Sequence, residues 1–163
     1  MIHLEKIQEI VSHRKFKVFS KKKGIELVFL FGSVAKGTQG QQSDVDIAIV
    51  LDRDVSPKQY STIQIAVMNF FGEALAFDRI DVVVMNKAYP LLSYIITQDG
   101  KCLYGTMARS EEVRLNALKI YDDHKPLYAM QAHYQRERAR LGYLARKPDS
   151  AFFRNVRSFV YKT

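Results

Sequence analysis

The sequence is poor in the residues that build covalent frameworks, and it has no long hydrophobic run. Its 163 residues include one cysteine, Cys102, which excludes a disulfide framework within the chain and favours a reducing compartment. No apolar run approaches the roughly 20 residues that span a bilayer. The first residues, Met-Ile-His-Leu-Glu-Lys, enter a charged amphipathic pattern directly and lack the apolar core of a signal peptide. We therefore expect a cytoplasmic protein that has no membrane partner.

The composition is that of a globular domain, but the charge is unevenly placed. Apolar residues make up 47% and charged residues 26%, which argues against a disordered chain. Of the 25 basic and 17 acidic residues, nine basic and two acidic ones lie in residues 124–163. The first 123 residues are nearly neutral. The basic end predicts either attraction to nucleic acid or an acidic protein face, or simply a solvated helical face.

Hydrophobic periodicity and turn residues divide the chain into an α/β (α+β) body followed by helices. The predicted strands are at 25–31, 44–51 and 79–85, with an edge strand at 101–104 that contains a buried Cys102. The predicted helices are at 2–20, 56–77 and 90–99. A long helix begins at Ser110 and should be kinked or restarted by Pro126, and a break at 147–150 precedes a final helix or mobile end. This order predicts a small mixed sheet flanked by helices. We expect one domain at residues 1–126 and a basic helical C-terminal extension at residues 127–163.

Two aspartates begin the second predicted strand. Because side chains alternate along a strand, Asp44 and Asp46 project from the same face, while Val45 and Ile47 point into the core. Two neighbouring carboxylates at the start of an apolar strand are costly unless a cation lies between them. Mg²⁺ fits best, since it prefers one or two carboxylates together with substrate phosphates.

A third acid and a glycine-serine pair complete the pattern. Asp81 lies within an apolar run, where we expect it to be buried and to join the other two aspartates if the strands are neighbours. Three carboxylates can hold two metal ions for phosphoryl-group displacement. Gly32 and Ser33 follow a buried strand, where a close backbone approach, amides and a hydroxyl suit phosphate oxygens.

Each signal has an ordinary structural alternative. Asp44 alone would most simply cap a strand or a turn, Asp81 alone would pair with a basic neighbour such as Arg79, and Gly-Ser after a strand usually makes a turn. The combination in this order favours a functional site.

The combination also resembles a known family. Gly32-Ser33, a ten-residue spacer, Asp44-Val45-Asp46 and a later strand acid are similar to the nucleotidyltransferase superfamily of DNA polymerase beta. The small size is most similar to its minimal nucleotidyltransferase branch, which includes the antitoxins of HEPN–MNT toxin–antitoxin pairs. The resemblance covers residues 25–127. The family often has arginine where this chain has Lys36, so a bidentate phosphate contact there would become a point charge.

The resemblance implies a fold, a reaction and a partner. It implies the nucleotidyltransferase fold, with Asp44, Asp46 and Asp81 as catalytic residues that bind Mg²⁺, and Gly32 and Ser33 as residues that bind the nucleotide. ATP would be the substrate, Asp81 would help deprotonate the acceptor, and AMP would be transferred to a tyrosine of a cognate HEPN ribonuclease toxin, which silences it.

Two alternatives stay open at this point. One is an antitoxin that neutralises its ribonuclease by occlusion alone, with an idle site. The other is a nucleotidyltransferase that acts on a small molecule or RNA. The intact set of three aspartates favours catalysis over occlusion, and the short C-terminal region disfavours a small-molecule acceptor. Binding of nucleic acid through the basic extension is possible but not favoured.

Overall fold

A computed structural model of the chain describes residues 4–40 and 43–140. Its helices are α1 (Leu4–Ser12), α2 (Arg14–Lys23), α3 (Gly32–Lys36), α4 (Tyr60–Leu75), α5 (Pro90–Asp99) and α6 (Met107–Arg140). Its strands are β1 (Ile25–Phe31), β2 (Val45–Leu51), β3 (Ile80–Val84) and β4 (Lys101–Tyr104), with 3₁₀ turns at Pro57–Gln59 and Met85–Lys87. None of the helices described is both long enough and apolar enough to cross a membrane.

The four strands form one mixed sheet in the order β3-β2-β1-β4. β1 pairs antiparallel with β2 and β4, whereas β2 and β3 run parallel. The parallel pair is joined through α4, which is the crossover that such a connection needs. The predicted α/β class with a small mixed sheet is therefore confirmed.

Each face of the sheet has its own hydrophobic cluster. On one face, Val45, Ile47 and the following alternate residues of β2 pack with Phe16 of α2 and Phe71 of α4. The alternate residues Ala48 and Val50 pack on the other face, with α5. Side-chain alternation in the strands explains this division, and it places Asp46 on the face that α5 covers.

The N-terminal helix is two helices rather than the one predicted. His13 is extended (φ −71°, ψ 146°), and its side chain accepts a hydrogen bond from the Lys15 backbone N–H at 3.2 Å. That cap starts α2 and ends α1 at Ser12. The apolar spacing continues across the break, with Val11 and Phe16 both buried, and so hid it.

Three further expectations need correction. The loop after β1 contains the single-turn helix α3, which ends at Gly37 in the left-handed conformation (φ 69°). Pro126 lies inside α6 without interrupting it. Both Pro126 and Asp122, whose carbonyl loses its donor, are exposed, so water can satisfy that carbonyl. Cys102 is exposed on the edge strand rather than buried.

The chain divides into two compact units, Met1–Asp123 and His124–Thr163. The sheet and its covering helices belong to the first unit. The predicted break at 147–150 and the final helix lie outside the described residues.

Candidate active site

Three strand ends meet at one corner of the sheet. Asp44 directly precedes β2, Asp46 is the second residue of β2, and Asp81 is the second residue of β3. In the sheet register, Asp46 lies opposite Phe31 on one side and Asp81 on the other. Gly32 follows Phe31 at the end of β1. We call Asp44, Asp46 and Asp81 the acidic corner.

The acidic corner disfavours the ionised form of its central residue, Asp46. Burial, followed by the charges of Asp81 and then Asp44, raises the pKa of Asp46 from 3.8 to about 6. Asp46 is partly buried, whereas Asp44 and Asp81 are exposed, so the expectation of a buried Asp81 is wrong. Asp81 is solvated because α5 covers the middle of this sheet face and leaves the corner open. Like charges converge here, and within residues 4–40 and 43–140 no basic side chain forms an ion pair with Asp46, which is the situation that a bound cation relieves.

Gly32 is in contact with the Asp46 carboxylate. A Cβ added to Gly32 would overlap a carboxylate oxygen and come within 2.9 Å of Cγ of Asp46. The backbone at Gly32 has φ +71°, in the left-handed region that favours glycine. The half-buried Ser33 follows it in α3. The predicted approach of the glycine to the aspartates is thus present at Asp46, and the role of Ser33 stays a prediction.

Arg79 belongs to this corner in a way that the sequence did not reveal. Its Nε lies 3.9 Å from Oδ1 of Asp44, and its guanidinium lies 5.2 Å from the centre of the Phe77 ring. Its backbone carbonyl accepts the Val45 N–H at 3.0 Å. The alternative considered from sequence paired Arg79 with Asp81, its near neighbour in the chain. Strand alternation and the parallel β2–β3 register bring it to Asp44 instead.

Lys36 is engaged elsewhere. Its Nζ lies 2.6 Å from the Asp99 carboxylate, which joins the end of α3 to the end of α5. Both side chains are well exposed, so the ion pair orients the two helix ends more than it stabilises them.

The oxygen donors of the acidic corner fit Mg²⁺. Within residues 4–40 and 43–140, no three histidine, cysteine, aspartate or glutamate side chains form a group that could hold a metal ion by themselves. Asp46 with one neighbour supplies a pair of hard oxygen ligands at the open end of the corner. Mg²⁺ is typically bound in this way, by one or two carboxylates while substrate phosphates and water complete the octahedron.

Comparison with known proteins identifies the family. Residues 5–109 match the family described as "Polymerase beta, Nucleotidyltransferase". The chain belongs to this family. The match contains the whole sheet and the acidic corner, and it ends near the start of α6.

Two curated relatives carry the same name. The chain is 28% identical over 97 residues to Protein adenylyltransferase MntA of Shewanella oneidensis, a match covering 60% of this chain and 66% of that protein. It is also 28% identical over 107 residues to Protein adenylyltransferase MntA of Aphanizomenon flos-aquae, covering 61% and 71%. The chain therefore spans slightly less than two thirds of the Shewanella protein.

Solved structures share the fold. One is a chain of a toxin–antitoxin structure with AMP-PNP, with a TM-score of 0.53 at 24% identity, covering 84% of this chain and 93% of that one. Another comes from a complex of a tri-AMPylated Shewanella oneidensis HEPN toxin with an MNT antitoxin, with a TM-score of 0.50 at 21% identity, covering 82% and 94%. The predicted nucleotidyltransferase fold is confirmed.

Proposed function

We propose that this chain is a Mg²⁺-dependent adenylyltransferase antitoxin. It transfers AMP from ATP to a tyrosine of a cognate HEPN ribonuclease toxin and so neutralises it. The observation that carries the proposal is the contact of Gly32 with a carboxylate, Asp46, whose charge two further aspartates oppose. Family membership and the shared name of the relatives from two organisms support the same reaction.

The acidic corner provides the ligands for the metal ion. We propose Asp44, Asp46 and Asp81 as the residues that would hold the ion. Because these described side chains do not form a three-ligand metal group by themselves, the phosphates of ATP and water would supply the remaining ligands. When bound, Mg²⁺ neutralises phosphate charge and stabilises the leaving pyrophosphate. Arg79 keeps Asp44 at the corner through its ion pair and is itself packed against Phe77.

The remaining roles follow from where the side chains lie. Gly32 lets the backbone approach the nucleotide, and the Ser33 hydroxyl donates to a phosphate oxygen. Asp81 accepts the proton of the tyrosine hydroxyl, consistent with its exposed position beside Asp46. The tyrosine oxygen then bonds to the α-phosphorus, the bond from that phosphorus to the bridging oxygen breaks, and pyrophosphate leaves with the electron pair.

The proposal assigns different roles to the two parts of the chain. Residues 1–126 hold the nucleotide and carry out the transfer, and the basic extension at 127–163 docks on the toxin. AMP adds negative charge and bulk to the toxin tyrosine, which disfavours the approach of RNA phosphates. We place the reaction in the cytoplasm, where the single cysteine stays reduced.

The test uses the full chain with the product of the neighbouring gene, which the proposal expects to be the HEPN toxin. Both are incubated with Mg²⁺ and ATP labelled at the α-phosphate, using wild type, the double variant Asp44→Asn/Asp46→Asn and the matched control Glu111→Gln/Glu112→Gln. We expect label on a toxin tyrosine with wild type and the control but not with the double variant. Neutralisation by an unlabelled complex would instead show an antitoxin acting by occlusion. Label on RNA or a small molecule would move the acceptor away from the toxin.

A further inference from the structure

The helix α2 carries a dense strip of positive charge. Six of its ten residues are basic and none is acidic. The strip consists of Arg14, Lys15, Lys17, Lys21 and Lys22, all exposed, with the partly buried Lys23 beside them. Without these six residues, the unit Met1–Asp123 has ten basic and 15 acidic residues. The near-neutral total of the body therefore conceals a strongly basic helix on an acidic body.

The geometry of α2 gathers these charges on one side. Phe16 and Ser20 are fully buried against the sheet. At helical spacing Arg14, Lys17 and Lys21 form a row along one flank of the exposed side, and Lys15 and Lys22 lie along its other flank. Ten residues make a helix about 15 Å long, so both rows extend along most of its length.

The strip makes no close ion pair within the part of the chain that the structure describes, and the acids beside Lys21, Lys22 and Lys23 are Asp52 and Asp54, which line the same pocket. Across the described residues, none of the six side chains forms an ion pair with an aspartate or glutamate. Elsewhere in the same unit basic side chains do find acids, as Arg109 does with Glu26 and Glu112. Six like charges repel one another in one short helix, which costs free energy unless a polyanion opposes them.

We propose that this strip binds the phosphate backbone of double-stranded RNA. Its five exposed cations lie within about 15 Å, a length over which a duplex presents several closely spaced phosphates. A protein partner fits poorly, because protein interfaces are depleted in lysine. They also need exposed apolar side chains, and the large apolar side chain that α2 exposes is Val18. Five of the six cations are lysines, which suit phosphate contact rather than the bidentate reading of bases.

One feature favours RNA over DNA. The narrow major groove of A-form RNA brings the phosphates of both strands within reach of such a strip. The strip lies on the sheet face opposite to Asp46, so RNA binding leaves the acidic corner open.

The test measures fluorescence anisotropy of a labelled 18-base-pair RNA duplex with the full chain at 50 to 200 mM salt. The variant is Arg14→Gln/Lys17→Gln/Lys21→Gln, whose residues are exposed and whose replacement keeps helix propensity. The matched control, Lys125→Gln/Arg136→Gln/Arg138→Gln, removes the same charge from exposed positions of α6. Circular dichroism checks that both variants fold like wild type.

The proposal expects the α2 variant to bind at least tenfold more weakly at 100 mM salt. The slope of log affinity against log salt should become shallower by about 3, since each lost phosphate contact contributes about 0.9. The control should stay within threefold of wild type. The proposal is overturned if wild type does not bind, if the control loses as much as the variant, or if a DNA duplex of the same sequence binds as tightly. Polyglutamate added at equal charge is not expected to displace the RNA. If it did, the strip would bind an acidic protein instead.

Discussion

Two groups of charged side chains in the body differ in what the fold does with them. In one, Arg109 donates to Glu26 at 2.8 Å and lies 2.7 Å from Glu112. The hydrogen bond and charge of Arg109 lower the pKa of Glu112, and those carboxylates raise the pKa of Arg109. In the acidic corner, burial and like charges raise the pKa of Asp46 to about 6. One group stabilises its charges, whereas the other makes its central charge costly.

The difference separates a structural group from a functional one. The Arg109 group ties β1 to the first turns of α6, and Arg53, 3.4 Å from Glu112, balances the second carboxylate. The acidic corner lacks that balance, and a strained charge next to a left-handed glycine is a common property of binding sites. The five predictions below test this contrast.

The largest expected effect is on transfer. Asp46→Asn removes the central ligand without changing its shape, and we expect AMP transfer to fall by about 10³-fold. Glu26→Gln changes a carboxylate of the Arg109 group in the same way and should leave transfer within about threefold. Initial rates with labelled ATP measure both. Equal rates in the two variants would erase the distinction between the groups.

The second effect concerns the contact at Gly32. Gly32→Ala places a Cβ against the Asp46 carboxylate, and we expect transfer to fall by about 10²-fold, because small displacements at a reacting centre cost this much. Gly37→Ala is the matched control, since Gly37 also has a positive φ (69°) but no atom within 4 Å of the added Cβ. Both variants should lose about 1–2 kcal/mol of stability from the left-handed backbone. If Gly37→Ala lost transfer equally, backbone strain rather than the contact would be responsible.

Stability should change in opposite directions in the two groups. Without metal at pH 7, Asp46→Asn should raise the free energy of unfolding by about 1 kcal/mol. The full pKa difference corresponds to roughly 3 kcal/mol, but water screens part of this side chain and so reduces the effect. Glu26→Gln should lower it by about 1 kcal/mol, because it weakens a charged hydrogen bond. Urea denaturation in the presence of a chelator measures both.

The stability difference between wild type and Asp46→Asn should depend on pH. The folded protein holds the Asp46 proton more tightly than the unfolded chain, so wild type loses stability as pH rises from 3.8 to about 6. The advantage of Asp46→Asn should therefore be present at pH 7 and absent below pH 3.8. An advantage that persisted at low pH would have another origin.

The smallest effect concerns Arg79. Its contact with Asp44 is 3.9 Å long and largely exposed, so Arg79→Gln should change stability by no more than about 0.5 kcal/mol. Lys36→Gln, which breaks the exposed pair with Asp99, serves as the comparison. Thermal unfolding of both variants measures the changes. A loss above 1 kcal/mol in Arg79→Gln alone would make the acidic corner depend on this cation for its folding.

The sequence predicted the strands well because their apolar runs are short, continuous and bounded by turn residues. Alternation within β2 also predicted that Asp44 and Asp46 share a face. The sequence could not supply the strand order, so the position of Asp81 beside Asp46 needed the parallel register. The break at His13 was hidden because a local side-chain cap overrides an apolar spacing that continues across it.

The net charge of the first 123 residues conceals the basic strip of α2, because the acids of the rest of the body cancel the six cations of this one helix. Only the fold shows that Phe16 and Ser20 face the sheet and that the cations share the opposite side.

The central claim is that the acidic corner binds a divalent cation together with a nucleotide. Calorimetric titration of ATP into the full chain tests it most directly, with and without Mg²⁺, for wild type and Asp46→Asn. The account predicts binding to wild type only when Mg²⁺ is present, and binding to Asp46→Asn at least tenfold weaker. Equal ATP binding without Mg²⁺, or by the variant, would contradict it.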